Sequence, residues 1–304
     1  MIGTNFIKDS DRNPFRKIYD SPVFKDAKGK PTNMPLILDI EPTNNCNLKC
    51  DFCARQIMKR PTGYMDYGLY TKIINECAKY NIAVKFSRWG EPFLHPKIYC
   101  MLNYAYMKGL ITHITTNGIL CDIKRLQHVY SINFSFQGTS EKEYQELRNN
   151  EMYDEIVNKI NILAKKSHRP AIGITTTVQP GTPEANIMKF VNYWIKRVEQ
   201  VSWGYTYYGH LDKKDKQLWE GRKKPCNDLF TRMSIDWDGT ISACCADYDR
   251  KMVIGRLGWN YGNKFPKDTL KDAWNSDKMN AYRKLMSEGK INDIKLCSKC
   301  ANRW

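Results

Sequence analysis

Three cysteines within eight residues, Cys46, Cys50 and Cys53, constrain this chain more than any other feature. Their spacing is C-x3-C-x2-C. Directly before them, Leu36-Ile37-Leu38-Asp39-Ile40-Glu41 predicts a short buried strand, and Pro42-Thr43-Asn44-Asn45 ends it in a loop. Three soft ligands therefore sit just past the C-terminal end of a strand. Three thiolates suffice for three irons of a [4Fe–4S] cluster, because such clusters are held by cysteine sulfur. The fourth iron is then left open to a small molecule. The competing reading is a zinc knuckle or three core cysteines. Zinc sites pair C-x2-C units with a fourth ligand, and no His or Cys follows Cys53 within the next twenty residues.

From residue 36 the pattern alternates strand and helix. Strands are predicted over 36–41, 83–87, 111–116, 132–136, 171–178 and 198–208. Helices are predicted over 66–80, 97–108, 123–130, 140–147, 153–166 and 183–196, with a capping box at Ser140 and Glu143. Six β/α units in a row predict a parallel sheet with helices outside. The right-handed crossover rule curls it into a partial (β/α)6 TIM-like barrel. Sites in such sheets lie at the C-terminal strand ends, which is where the three cysteines fall. After the second strand comes Ser87-Arg88-Trp89-Gly90-Glu91-Pro92, where glycine permits close backbone approach and Glu91 offers a carboxylate to an ammonium group. After the third comes Thr115-Thr116-Asn117-Gly118, short polar side chains suited to ribose hydroxyls and equally a generic turn. After the fourth comes Ser135-Phe136-Gln137-Gly138.

A second cysteine set lies downstream: Cys226, Cys244, and Cys297-x2-Cys300 near the C-terminal end. Asp238-Gly239, flanked by Met233–Trp237 and Thr240–Ala243, is a β-hairpin signal, and residues 274–288 predict a helix that returns the chain toward it. Four cysteines complete the ligand set of a further [4Fe–4S] cluster or of a zinc ribbon. Cys245 is left over. Cys77, Cys100 and Cys121 read as core. Trp203, Tyr205, Tyr207 and Tyr208 are candidates to line a substrate site or simply to pack the last strand.

Residues 1–34, broken by Pro14, Pro22, Gly29 and Pro31, predict an arm strapped along the barrel. The barrel is expected over 35–210 and a small hairpin-and-helix domain over 211–304. No apolar run is long enough to span a bilayer. Eleven cysteines, most of them in metal-ligand spacings, fit a reducing cytoplasm better than a disulfide framework. The formal charge of +16 comes from dispersed lysines. It fits a solvated surface better than a nucleic-acid partner.

The cysteine stretch, with Phe52 before the third cysteine, resembles the C-x3-C-x-aromatic-C signature of the radical S-adenosylmethionine (SAM) superfamily. The resemblance implies that Cys46, Cys50 and Cys53 hold a cluster whose open iron chelates SAM, and that reduction releases a 5′-deoxyadenosyl radical. Gly90-Glu91-Pro92 resembles half of the family's GGEP motif, with Trp89 in place of its first glycine. Thr116, Asn117 and Ser135 match positions that contact SAM. Gln137 stands where many relatives carry an acid. Arg148, in Tyr144-Gln-Glu-Leu-Arg-Asn149, matches an arginine that pairs with the SAM carboxylate. The C-terminal set resembles the shortened "twitch" form of the SPASM group, implying one auxiliary cluster on Cys226, Cys244, Cys297 and Cys300. Cys245 is then a candidate hydrogen donor, an inert buried cysteine, or a ligand exchanged with Cys244. The expected function is hydrogen abstraction leading to oxidation or epimerisation of a sugar or aminocyclitol. A flavodoxin or ferredoxin reductase system is the expected electron donor. Modification of a ribosomal peptide or a nucleic acid is the alternative.

Overall fold

A computed structural model describes residues 6–7, 12–25, 29–178, 181–205, 224–258 and 269–300. Among these, ten strands form one sheet: β1 (Phe6–Ile7), β2 (Ile37–Ile40), β3 (Ala83–Phe86), β4 (Thr112–Thr116), β5 (Ser131–Ser135), β6 (Ala171–Val178), β7 (Gln200–Tyr205), β8 (Arg232–Ile235), β9 (Thr240–Ser242) and β10 (Val253–Arg256). The order is β1-β7-β6-β5-β4-β3-β2-β8-β9-β10. Strands β2 to β7 are the six expected ones, all parallel.

Ten α-helices accompany the described strands: α1 (Pro14–Asp20), α2 (Pro22–Lys25), α3 (Tyr67–Lys79), α4 (Ile98–Met107), α5 (Glu141–Arg148), α6 (Tyr153–Ala164), α7 (Glu184–Trp194), α8 (Asp228–Thr231), α9 (Leu270–Trp274) and α10 (Asp277–Ser287). The apolar faces of α3, α4, α6 and α7 bury Ile73, Ile74, Met101, Leu102, Ile156, Ile160 and Trp194. These pack in one core with Leu38, Ile40, Val84, Phe86, Ile114, Phe134 and Ile174 of the strands. Each such side chain stabilises the fold by roughly 1.5–3 kcal/mol. The alternate residues of the same strands, Lys85, His113, Thr115, Asn133, Thr175 and Ser202, are half-buried. The barrel interior is thus hydrophilic, whereas closed TIM barrels fill theirs with branched apolar side chains.

Four expectations are corrected. Residues 123–130 form only a short 3-10 turn, Ile123–Arg125, because the apolar Leu126 and Val129 reach the core from a loop. The expected helix over 274–288 is broken in two at Asn275–Ser276, where Ser276 caps α10 and Thr269 caps α9 in a capping box. Cys100 lies exposed on α4, although Cys77 and Cys121 are core residues as read. At α5 the Ser140 hydroxyl accepts from Glu143 N, but the Glu143 carboxylate accepts from Thr139 N rather than from the cap residue.

The described part of the N-terminal arm forms the two short helices α1 and α2. Phe15 and Phe24 pack on Ile37 and Ala83, and the Phe15 ring stands 5.2 Å from His113. The hairpin β8–β9 adds to the edge of β2, with Arg232 to Ile235 in parallel register with Ile37 to Ile40. The sheet therefore runs unbroken from the barrel into the C-terminal region. No described helix is long and apolar enough to cross a membrane.

Candidate active site

The loop after β2 is fixed by its own polar side chains. Thr43 Oγ1 donates to Gly63 O at 2.6 Å, and Asn44 spans Pro61 O and Gly63 N, both at 2.9 Å. The three cysteines follow, with Leu48 N donating to Cys46 Sγ and Cys53 N to Cys50 O. All three thiols face one cavity of about 340 Å³ at the C-terminal ends of the strands, within the size range of small-molecule sites. Burial pushes the Cys46 thiol up to about 11 and raises Cys53 as well.

The loop after β3 closes on the cysteine loop backbone to backbone. Glu91 N donates to Asn45 O at 2.8 Å. Gly90 has φ +135°, and a Cβ there would lie 2.3 Å from Thr43 O. Only glycine permits this approach. The buried Glu91 carboxylate accepts from Thr116 Oγ1 and Asn117 N, each at 2.7 Å, so it joins the loops after β3 and β4. Burial pushes its pKa up to about 6. Asn117 reaches back to Asn47 Oδ1 at 2.8 Å.

Helix α5 ends at Arg148, and Asn149 follows in the left-handed conformation. Arg148 donates to Ser135 Oγ at 2.8 Å, to Gln137 Oε1, and to Cys50 Sγ at 3.6 Å. Its guanidinium stands 5.4 Å from the Phe52 ring centroid. Of the candidate residues, Phe52, Gly90, Glu91, Thr116, Asn117, Ser135 and Arg148 all line the cavity. Gln137 does not. It is fully buried behind the cavity wall and orients Arg148, because an amide carbonyl there accepts from the guanidinium.

Sequence reasoning left several cavity residues unassigned. Arg88, from the same loop as Glu91, lines the cavity, as do Arg55, Thr175 and Thr177. For Thr175 and Thr177 the signal was present only as strand alternation on β6; Arg55 and Arg88 lie on the loops after β2 and β3. Trp203 is buried, and its ring is not among the cavity residues. Tyr207 and Tyr208 lie outside the described residues, and nothing is described of the Tyr205 side chain.

The second cysteine set also converges. Cys226, Cys244, Cys245, Cys297 and Cys300 line one small pocket beside α8. Cys244 and Cys245 share a hydrogen bond; together with burial it raises the Cys244 thiol, and it lowers Cys245 against the opposing effect of burial. Cys245 Sγ also lies 3.7 Å from Asp228 Oδ2. Cys245 is therefore in the cysteine pocket and not among the residues lining the larger cavity, because it follows Cys244 directly on the same turn. Among the described residues no three donors are drawn together as for a single metal ion. A chemistry of all-thiol donors around a pocket fits an iron–sulfur cluster at each site.

A sequence model described as the radical SAM superfamily matches residues 40–193, half of the chain. One for an iron–sulfur cluster-binding domain, SPASM, matches residues 226–301. The chain is 28% identical to the tungsten-containing aldehyde ferredoxin oxidoreductase cofactor-modifying protein of Pyrococcus furiosus, over 81% of this chain and 82% of that one. It is 22% identical to the S-adenosyl-L-methionine-dependent 2-deoxy-scyllo-inosamine dehydrogenase of Niallia circulans, over 88% and 92%. Its fold is similar to that of BtrN in complex with AdoMet and 2-DOIA, with TM-score 0.60, 19% identity, and 88% and 94% covered. With its cysteine loop, GEP loop and C-terminal cysteine pocket in place, the chain belongs to the radical SAM superfamily, carries an iron–sulfur domain of the SPASM type, and takes SAM and [4Fe–4S] clusters as cofactors.

Proposed function

We propose that this protein oxidises a polyhydroxylated small molecule, a sugar or an aminocyclitol, by SAM-dependent radical chemistry. When bound, SAM and its cluster supply a 5′-deoxyadenosyl radical able to take a hydrogen atom from carbon, and the auxiliary cluster supplies a one-electron acceptor. The observation that carries the reading is the continuity of the cavity with a hydroxyl-lined barrel. Thr115, Thr175, Thr177 and Ser135 face the same space as Cys46, Cys50 and Cys53. Hydroxyl side chains both donate and accept, so they match a substrate rich in hydroxyls and exclude a merely apolar one.

In this reading Cys46, Cys50 and Cys53 hold the SAM-site cluster. The backbone around Gly90, with Thr116 and Asn117, frames the amino and ribose groups of SAM. Glu91 keeps those two loops in register. Arg148, oriented by Ser135 and Gln137, meets the SAM carboxylate with a planar charged fork. Cys226, Cys244, Cys297 and Cys300 hold the auxiliary cluster. Oxidation is favoured over epimerisation by the position of Cys245, which lines the cysteine pocket against Asp228 and leaves the cavity without that thiol. A flavodoxin or ferredoxin provides the first electron.

The test is anaerobic turnover with reduced flavodoxin, SAM and deuterated aminocyclitols. Deuterium appearing in 5′-deoxyadenosine together with a ketone product is the expected result, and the Cys245→Ala protein should still form that ketone. Deuterium transfer only from a precursor peptide would overturn the small-molecule reading. Product with inverted stereochemistry and no ketone would overturn oxidation.

A further inference from the structure

The dipeptide Arg88-Trp89 touches both cysteine regions. Trp89 packs edge-on against Tyr248, with ring centroids 5.7 Å apart, and Cys53 packs against the same patch. Arg88 points to the other side. Its side chain is only 1% exposed, and Nη2 donates to Asp247 O at 2.8 Å. Nη1 lies 3.5 Å from Cys244 O, the backbone of a cysteine in the C-terminal pocket. Arg88 forms ion pairs with Asp236 at 3.0 Å and with Glu41 at 3.9 Å; Asp236 also pairs with Arg250, and Glu41 with Arg60. A full positive charge is thus held by buried carboxylates between the SAM-motif loop and the loop of Cys244 to Tyr248.

We infer that Arg88 is a positioning residue that ties the auxiliary cysteine loop to the SAM-motif loop and, through its buried charge, raises the reduction potential of the auxiliary cluster. This rests on the assignment of an iron–sulfur cluster to the C-terminal cysteines. Cluster potentials follow local charge and hydrogen bonding. Reduction adds an electron, so a nearby buried cation favours the reduced form and its removal disfavours it. At this depth the effect is screened much less than at the surface. Arg88 lies two residues ahead of the glycine of the GEP half-motif.

The test is redox titration of the reconstituted holoenzyme by EPR, for wild type, R88Q and R88K, with iron and sulfide counted in each. At a fixed potential the R88Q protein should hold at least about tenfold less reduced auxiliary cluster, a midpoint lower by about 59 mV for a one-electron couple. R88K keeps the charge and should recover most of the shift, and the SAM-site cluster should move less. Eight irons per chain with an unshifted auxiliary midpoint in R88Q, or R88K shifted as far as R88Q, would overturn the role of Arg88. Wild-type protein with only the SAM-site cluster and zinc in the second pocket would overturn the cluster assignment, and the inference with it.

Discussion

Gly90→Ala is the most informative single substitution, because a methyl group there meets main chain on the neighbouring loop. The added carbon would lie 2.3 Å from Thr43 O and 2.8 Å from Asn45 O. Carbon and oxygen sit comfortably at about 3.3 Å or more, so the two loops must part by roughly 1 Å. The 2.8 Å bond from Glu91 N to Asn45 O then stretches beyond hydrogen-bond range. Its loss costs about 1 kcal/mol. The φ of +135° adds about 1–3 kcal/mol once a side chain is present. The docking of the loops is weakened by about 2–4 kcal/mol. A displacement of about 1 Å at a reacting centre costs on the order of 100-fold in rate. The assay is iron per chain after anaerobic reconstitution, followed by the rate of 5′-deoxyadenosine formation. Gly109→Ala is the control: it also has a positive φ, +72°, but no atom within 4 Å of its added carbon. That variant should lose some stability, about 1–2 kcal/mol, and keep both iron and rate. A Gly90→Ala protein with undiminished iron and rate would refute the close-approach argument. Equal losses in the control would assign the effect to backbone strain alone.

Removing the C-terminal ligands in a Cys297→Ser, Cys300→Ser chain should lower iron by about four per chain and leave about four, as one [4Fe–4S] cluster requires; iron and sulfide analysis reads this directly. Arg148→Met should weaken SAM binding roughly 10- to 100-fold, the worth of a charged hydrogen bond, seen as a shift in the SAM concentration that supports cleavage. The Glu91 carboxyl, raised from 4.5 to about 6 by burial, makes the fold prefer the protonated form. Its contribution is therefore present below its unfolded pKa and is lost as pH rises through 6. Relative to a Glu91→Gln chain, the wild type should gain about 2 kcal/mol of stability as pH falls from about 7 to 4.5. His113, held neutral by burial beside Lys85 and Arg232, works in the opposite direction, so the difference between the two chains is the quantity to measure by denaturant unfolding. A pH-independent difference would show that Glu91 does not titrate as inferred.

The barrel was legible because its strands carry a strong signal. β2, β5 and β6 place Ile, Leu, Phe and Thr at buried positions of short strands bounded by turn residues, and the helices between them have apolar faces at 3.6-residue spacing. The cysteines of both pockets were legible for another reason: soft ligands at short spacings have few other uses. The ion cluster was not legible. Glu41, Arg60, Arg88, Asp236 and Arg250 come from four separate loops, and each taken alone looks like an exposed charge. Their pairing depends on tertiary contacts that no local pattern encodes. The same holds for β10 and α8, which are too short for periodicity to register, and for the joining of β8 to β2, since hydrogen-bond partners across nearly two hundred residues leave no trace in either strand.

That joining of β8 to β2 has a consequence for biogenesis. The strand that leads into the SAM-site cysteines receives one of its two neighbours only after residue 235 has been synthesised. Until then a nascent chain on the ribosome offers the backbone donors and acceptors of Ile37 to Ile40 as an open edge, the kind of surface on which chains pair wrongly. A chain cut short before the hairpin should therefore be captured by chaperones or aggregate rather than accumulate as a half-built barrel.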